Sequence, residues 1–229
     1  MKNFISLTIM TMCFMMMLSL TGCNSNANKA FVPESEKDKA DVVEAIVQEE
    51  PRPVYGVDLG LSVNWAECNV GANRPEEVGY CVPLGNVTGT RKAPTKRMTN
   101  VSGTNADIAV VKMGDGWRMP TGAEMQELLE QCTWTVARVN GRDGFRVTGP
   151  TEMSIFLPNT GGNYSFEEAA KLDIKYEPTD DPEGNYWCGT PVDDGFGCNF
   201  LYFDTERESV QFMWAQLIFC NAVRAVHEK

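Results

Sequence analysis

Gly116-Trp117-Arg118-Met119-Pro120-Thr121-Gly122-Ala123-Glu124 reads as the start of a helix. Thr121 can accept a hydrogen bond from the amide three residues on, and Glu124 can reach back to the threonine amide, which makes a capping box. Met125, Leu128, Leu129 and Cys132 then recur at helical spacing and define a core-facing stripe ending at Cys132. After this helix the pattern changes. Trp134 to Val139 alternates, Asn140-Gly141 and Asp143-Gly144 supply turn chemistry, and Phe145 to Thr148 can return as a partner strand. One helix followed by strands and loops predicts an α+β fold with an antiparallel sheet.

Upstream, Val57 to Asn69 reads as strand, turn and strand, and Asn73 to Thr104 is loop-dominated, with a basic cluster of Arg91, Lys92, Lys96 and Arg97. Downstream, Ser154 to Leu157 is a short strand. Asn159 to Gly184 is a long loop, with room for a helical turn around Phe166 to Leu172. Asn199 to Phe203, Ser209 to Trp214 and Ile218 to Val226 are strand-like, and Thr205 to Glu208 is the hairpin turn between the first two.

The N-terminus has a different character. Lys2 precedes an apolar run from Phe4 to Leu20, and Leu20-Thr21-Gly22-Cys23 closes it. This is the layout of a secretory signal peptide, and small residues directly before a cysteine resemble a bacterial lipobox. Residues 1–22 are therefore expected to be a lipoprotein signal peptide, with Cys23 as the lipid attachment site. The run is at or below the roughly 20 residues of a spanning helix and is broken by Ser6, Thr8, Thr11 and Ser19. Residues 23–53 are polar, acidic and proline-bearing and read as a flexible tether. Residues 54–229 form the globular domain. The expected address is the outer membrane of a cell envelope, lipid-anchored, with the face undecided.

The net charge of −11 argues against nucleic acid as a partner, because phosphates call for a basic surface. It equally disfavours electrostatic adhesion to anionic lipid. Beyond Cys13 and Cys23 lie Cys68, Cys81, Cys132, Cys188, Cys198 and Cys220, an even set that in an exported chain points to disulfides. No C-x-x-C occurs, so no zinc ribbon or thioredoxin-type site is expected. The only histidine, His227, lies at the C-terminal end, which leaves little basis for a Ser-His-Asp or Cys-His constellation. No catalytic residue, cofactor or metal is expected.

Several segments together resemble the Fibrobacter succinogenes major paralogous domain, common in exported lipoproteins of Bacteroidota. Val57-Asp58-Leu59-Gly60-Leu61-Ser62-Val63-Asn64-Trp65-Ala66 with Asn69-Val70-Gly71-Ala72 resembles its opening motif, and Gly116 to Thr121 its central one. Cys132-Thr133-Trp134, Val147-Thr148-Gly149 and Ile155-Phe156-Leu157-Pro158 follow in family order. Tyr186-Trp187-Cys188-Gly189-Thr190 stands where the family has Tyr-Trp-Ser-Ser-Thr, and Ala222-Val223-Arg224-Ala225-Val226 where it has Val-Arg-Pro-Val. The resemblance implies a C-type-lectin-like domain: a small twisted antiparallel sheet, one main helix and long loops. It implies fold more than activity. Cys188 departs from the family serine, and with Cys198 and Cys220 nearby it implies an added bridge; Cys68 with Cys132, both inside family motifs, is the other pairing. Glu177-Pro178-Thr179 resembles a calcium-loop motif of sugar-binding lectins, but the partner motif is missing and an acidic turn is the preferred reading.

Tyr186, Trp187, Asp193, Asp194, Phe196 and Trp214 combine aromatic and acidic groups at loop–strand junctions, which suits a sugar or peptide ligand. The expected function is non-catalytic recognition of a glycan or protein ligand. A surface-appendage component and an enzyme acting on envelope polymers are the alternatives. Metabolic labelling with a radioactive fatty acid should mark the wild-type chain and leave Cys23→Ala unlabelled; equal labelling of both would refute the anchor.

Overall fold

The computed structural model describes residues 54–90, 92, 96–114, 116–161, 181–192, 195–217 and 219–229, all within one compact unit, Glu49–Lys229. The signal peptide, Cys23, the tether, Arg91, the turn around Phe166 to Leu172, Glu177-Pro178-Thr179, Asp193 and Asp194 lie outside the described residues.

The described chain is mainly β, with ten strands, two helices and three antiparallel sheets. The first sheet contains β1 (Gly56–Val57), β2 (Asn64–Asn69), β3 (Trp117–Arg118) and β10 (Arg224–His227), in the order β1-β2-β10-β3. The last strand thus lies beside an early one, with Val226 opposite Trp65. β4 (Thr133–Val139), β5 (Arg142–Thr148) and β6 (Ser154–Pro158) form the second sheet, and β7 (Glu183–Pro191), β8 (Gly197–Asp204) and β9 (Ser209–Gln216) the third. The helices are α1 (Ile108–Met113) and α2 (Gly122–Gln131). An α+β label is loosely compatible with this arrangement, but the single small sheet expected from sequence is replaced by three.

Local chemistry explains the elements that sequence reading placed well. The Thr121 capping box is present in both halves: Thr121 Oγ1 accepts from the Glu124 amide at 3.3 Å, and Glu124 Oε2 from the Thr121 amide at 2.7 Å. Arg118 grips the same carboxylate with two nitrogens, at 2.7 and 2.8 Å. Burial pushes Glu124 up, but this guanidinium and the Thr121 amide more than offset it and hold the carboxyl below its ordinary value. The β4–β5 hairpin turns on Asn140 (φ 45°) and Gly141 (φ 87°), two consecutive left-handed residues as a type I′ turn requires. Asp143-Gly144, the other turn candidate, lies within β5.

Two elements were not legible. α1 is short, and Asp107 nucleates it from a fully buried position. Its carboxylate accepts from the amides of Ala109 (2.8 Å), Gly103 (2.9 Å) and Met119 (2.7 Å), tying α1, a loop and β3 together. β7 contains two glycines and a proline, which disguise it. Gly184 is needed there because a Cβ would collide with the Phe203 ring on β8. Conversely, the strand expected over Ile218 to Val226 is confined to Arg224–His227.

One hydrophobic cluster spans all three sheets and α2, with Trp65, Met125, Leu128, Phe145, Leu157, Trp187, Leu201 and Phe203 among its members. Phe145 meets Phe203 edge-on at 5.1 Å, and Tyr186 stacks on Phe203 at 5.9 Å, so aromatic contacts join the second and third sheets.

A polar network runs through this core. Arg224, 1% exposed, donates to Asn69 Oδ1 (2.8 Å), Ala66 O (3.0 Å), Glu67 O (2.7 Å) and Phe156 O (2.8 Å). Asn69 Nδ2 donates to Tyr186 Oη at 3.3 Å, and Tyr186 donates to Pro158 O at 2.7 Å. Strands from every sheet are connected by these bonds. Burial pulls the Arg224 guanidinium below its ordinary value, and it keeps its charge only because these acceptors replace water. Arg224→Met should therefore destabilise the fold by about 3 kcal/mol or more, because it strands several buried acceptors. Adding Asn69→Leu should cost less than the sum of the two single changes. Urea midpoints measure both effects, and a loss under about 1 kcal/mol would show that the network is dispensable.

Candidate functional site

The third sheet presents two faces of different chemistry. Along β8, Leu201 and Phe203 are fully buried on one side, while Phe200, also buried and beside Trp187, and the half-buried Tyr202 point to the other and line the pocket there. Register then builds rows across the strands. Asn185, Tyr202 and Gln211 stand in line, as do Trp187, Phe200 and Met213, and Cys198 lies beside Ala215. The chain after β9 brings Phe219 and Asn221 to the same place.

The result is a pocket of about 560 Å³, within the roughly 300–1,000 Å³ common for small-molecule sites. Its walls are Glu183, Asn185, Phe200, Tyr202, Gln211, Met213, Trp214, Ala215, Gln216, Phe219 and Asn221. Four carboxamides therefore face aromatic and aliphatic surface. Among the described residues, Glu183 is the single acid of the lining, which includes no lysine, arginine or histidine. Tyr202 donates to Glu183 Oε1 at 3.1 Å. Burial and the neighbouring Glu183 charge raise the Tyr202 phenol, so it stays protonated as a donor.

Asn185 is anchored: its Nδ2 donates to Gly161 O at 3.0 Å and its backbone N–H to Thr160 Oγ1 at 2.9 Å. Asn221 differs. Its backbone exchanges hydrogen bonds with Val82 at 3.1 and 3.2 Å, and its residue is 3% exposed, yet its Nδ2 has no hydrogen-bond partner. An unpaired buried donor costs about 1–3 kcal/mol. Among the described pocket-lining residues, Asn221 alone carries such an atom.

The six residues proposed from sequence as ligand-binding separate. Tyr186 and Trp187 are both 0% exposed and are corrected to core residues. Their polar atoms are spent inside, Tyr186 on Pro158 O and Trp187 Nε1 on Val82 O at 2.9 Å. Phe196 is 54% exposed and sits outside the pocket lining, with the Arg97 guanidinium 4.3 Å over its ring. Trp214, 64% exposed, does line the pocket. Sequence reading missed the rest of the wall. Asn199 to Phe203 and Ser209 to Trp214 were legible as strand-like runs, but nothing in sequence shows which strand faces lie together.

The disulfide expectation is also corrected: none of Cys68, Cys81, Cys132, Cys188, Cys198 and Cys220 is joined in a disulfide. Cys198 faces Pro191 rather than Cys188, because the register shifts between Trp187 and Pro191. The two thiols still hydrogen-bond, which lowers Cys188 and, with burial, raises Cys198. Cys68 is buried on β2, whereas Cys132 caps α2 at intermediate exposure. Burial, then the charge of Glu127, pushes the Cys132 thiol up to about 11.

His227 packs edge-on against Trp117 at 5.3 Å, and its Nδ1 lies 2.6 Å from the Glu228 carbonyl. Among the described residues no His, Cys, Asp and Glu cluster has the makings of a metal site, and no helix is long and apolar enough to cross a membrane. Comparison with known protein families, curated proteins and solved structures finds no match to this chain.

The thiol chemistry is open to test. Iodoacetamide on native residues 24–229, which hold six cysteines, should modify Cys132 alone, with a rate rising about tenfold per pH unit between pH 8 and 10 as the thiolate fraction grows. In denaturant without reductant all six should react; protection of any pair there would reveal a bridge.

Proposed function

We propose that this chain is a non-catalytic cell-envelope lipoprotein, held at the outer membrane through Cys23, whose domain recognises a glycan. The likeness of its motifs to the Fibrobacter major paralogous domain, and through it to C-type-lectin-like folds, is part of the same proposal. The signal layout supports the address. One observation carries the ligand reading: carboxamides, a phenol and a carboxylate line one pocket together with aromatic and aliphatic side chains. Sugars present apolar C–H faces and a ring of hydroxyl groups, and such a wall meets both.

A second reading, an assembly component, is favoured by β9. Ser209–Gln216 is an edge strand of eight residues with no charge and no proline, and its Met213 and Trp214 are exposed. Such edges invite pairing with another chain.

A glycan and peptide array probed with residues 24–229 should give glycan binding that weakens at least tenfold in Tyr202→Ala, a change confined to a half-exposed side chain. Binding that ignores Tyr202→Ala would move the site elsewhere. Concentration-dependent oligomers by light scattering, without glycan binding, would favour the assembly reading.

A further inference from the structure

We infer that the pocket on the third sheet binds an amino sugar through its free, positively charged amino group, at the corner formed by Glu183, Asn185 and Tyr202. The inference rests on the glycan reading and adds the ligand class. Three observations lead to it.

Register builds the corner. Asn185 lies opposite Tyr202 across β7 and β8, and Glu183 stands two residues before Asn185, on the same face of β7. Each of these residues lines the pocket. Strand pairing therefore fixes where their polar groups stand.

The second observation is the direction of the hydrogen bonds. The Tyr202 phenol has a single proton and gives it to Glu183 Oε1 at 3.1 Å, so its oxygen is left to accept. The Glu183 carboxylate accepts at both oxygens. Asn185 turns its amide nitrogen to Gly161 O at 3.0 Å, which leaves its carbonyl oxygen as the acceptor. Neighbouring groups thus converge as acceptors. A hydroxyl brings one donor and two lone pairs to such a corner, whereas an ammonium brings three donors and no lone pair.

Charge points the same way. Among the described lining residues Glu183 carries the only charge, and it is negative. The buried Asp204 stands opposite Glu183 in register and adds to the negative field. Arg207, the cation that acts on Tyr202, lies 3.4 Å from Asp204 with its side chain 77% exposed, where water screens it. A hydrogen bond from an ammonium to a carboxylate is about twice as strong as one between neutral groups. An amino sugar is favoured over a lysine side chain because Gln211, next in the row after Tyr202, and Gln216 extend the polar wall. Sugar hydroxyl groups pair with such carboxamides, and an alkyl stem does not.

The test is a calorimetric titration of the full chain in detergent with the tetramer of glucosamine, the tetramer of N-acetylglucosamine, cellotetraose and tetralysine. The glucosamine tetramer should bind about tenfold or more tightly than either neutral tetrasaccharide, as expected for one hydrogen bond to a charged group. Glu183→Gln keeps an acceptor for Tyr202 and removes the charge. It should erase the preference and leave the urea midpoint near that of wild type. Glu130→Gln makes the same change of charge at an exposed position on α2 and should leave the preference intact, which separates the pocket from general attraction to an acidic protein. Where Glu183→Gln folds poorly, Tyr202→Phe keeps the ring, removes one acceptor and should reduce the same preference. Equal binding of the three tetrasaccharides, or a preference that survives Glu183→Gln, overturns this inference and leaves glycan recognition intact. Tighter binding of tetralysine than of the glucosamine tetramer, lost in Glu183→Gln, assigns the corner to a basic peptide and overturns the sugar assignment. Failure of every sugar here and on the glycan array overturns the glycan reading itself, and this inference with it.

Discussion

The buried guanidinium of Arg224 is the constraint around which the domain is arranged. It stands on β10 and donates into β2 and β6. Through Asn69 and Tyr186 the same network reaches β7 and closes on Pro158. A charge held away from water has to be met by acceptors in fixed positions. Those acceptors are backbone carbonyls of strands from different sheets, so the charge fixes how the sheets meet. Apolar packing alone is far more tolerant of sliding. The polar centre therefore supplies registration, and the surrounding cluster of Trp65, Trp187, Phe203 and Leu128 supplies the burial.

A second knot lies around α2. Arg118 holds Glu124, Glu124 caps the helix, and the buried Asp107 carboxylate gathers the amides of Gly103, Ala109 and Met119. Gly189 donates to Pro120 O at 2.7 Å, and Gly122 to Thr190 Oγ1 at 3.0 Å, so the helix start is fastened to β7. The outer face of the third sheet is left to form the pocket. Its inner face is committed to core contacts, and alternation sends Phe200, Tyr202, Gln211 and Met213 the other way.

The sequence segments quoted above for their resemblance and the pocket wall lie on different residues. Trp65, Met119, Tyr186, Trp187 and Arg224, all members of the quoted motifs, are buried structural groups. The pocket wall is built mostly from β8, β9 and the segment after them, where no quoted motif falls except at Ala222 beside Asn221. The quoted residues serve packing, and the pocket wall is drawn mostly from residues outside those segments. The aromatic residues that looked most like a binding face are core: Tyr186 bonds to Asn69 and Pro158 in the other two sheets, and Trp187 packs on Phe200 and bonds to Val82 O.

Sequence by itself determined what depends on neighbours along the chain. The Thr121–Glu124 capping box and the Asn140-Gly141 hairpin are both local, and each rests on hydrogen bonds or turn dihedrals within a few residues. Tertiary structure alone decided the rest. β7 was hidden because its glycines and proline are tolerated only where Phe203 and the parallel bridge to Ala222 hold it. None of the six thiols is bridged, and the nearest case is set by register, not spacing: Cys198 lies opposite Pro191, although its thiol still hydrogen-bonds to that of Cys188. The pocket exists because three strands and a later segment, separated by up to 38 positions between Glu183 and Asn221, converge on one face. Such convergence is fixed by long-range pairing, of which a linear pattern carries no record.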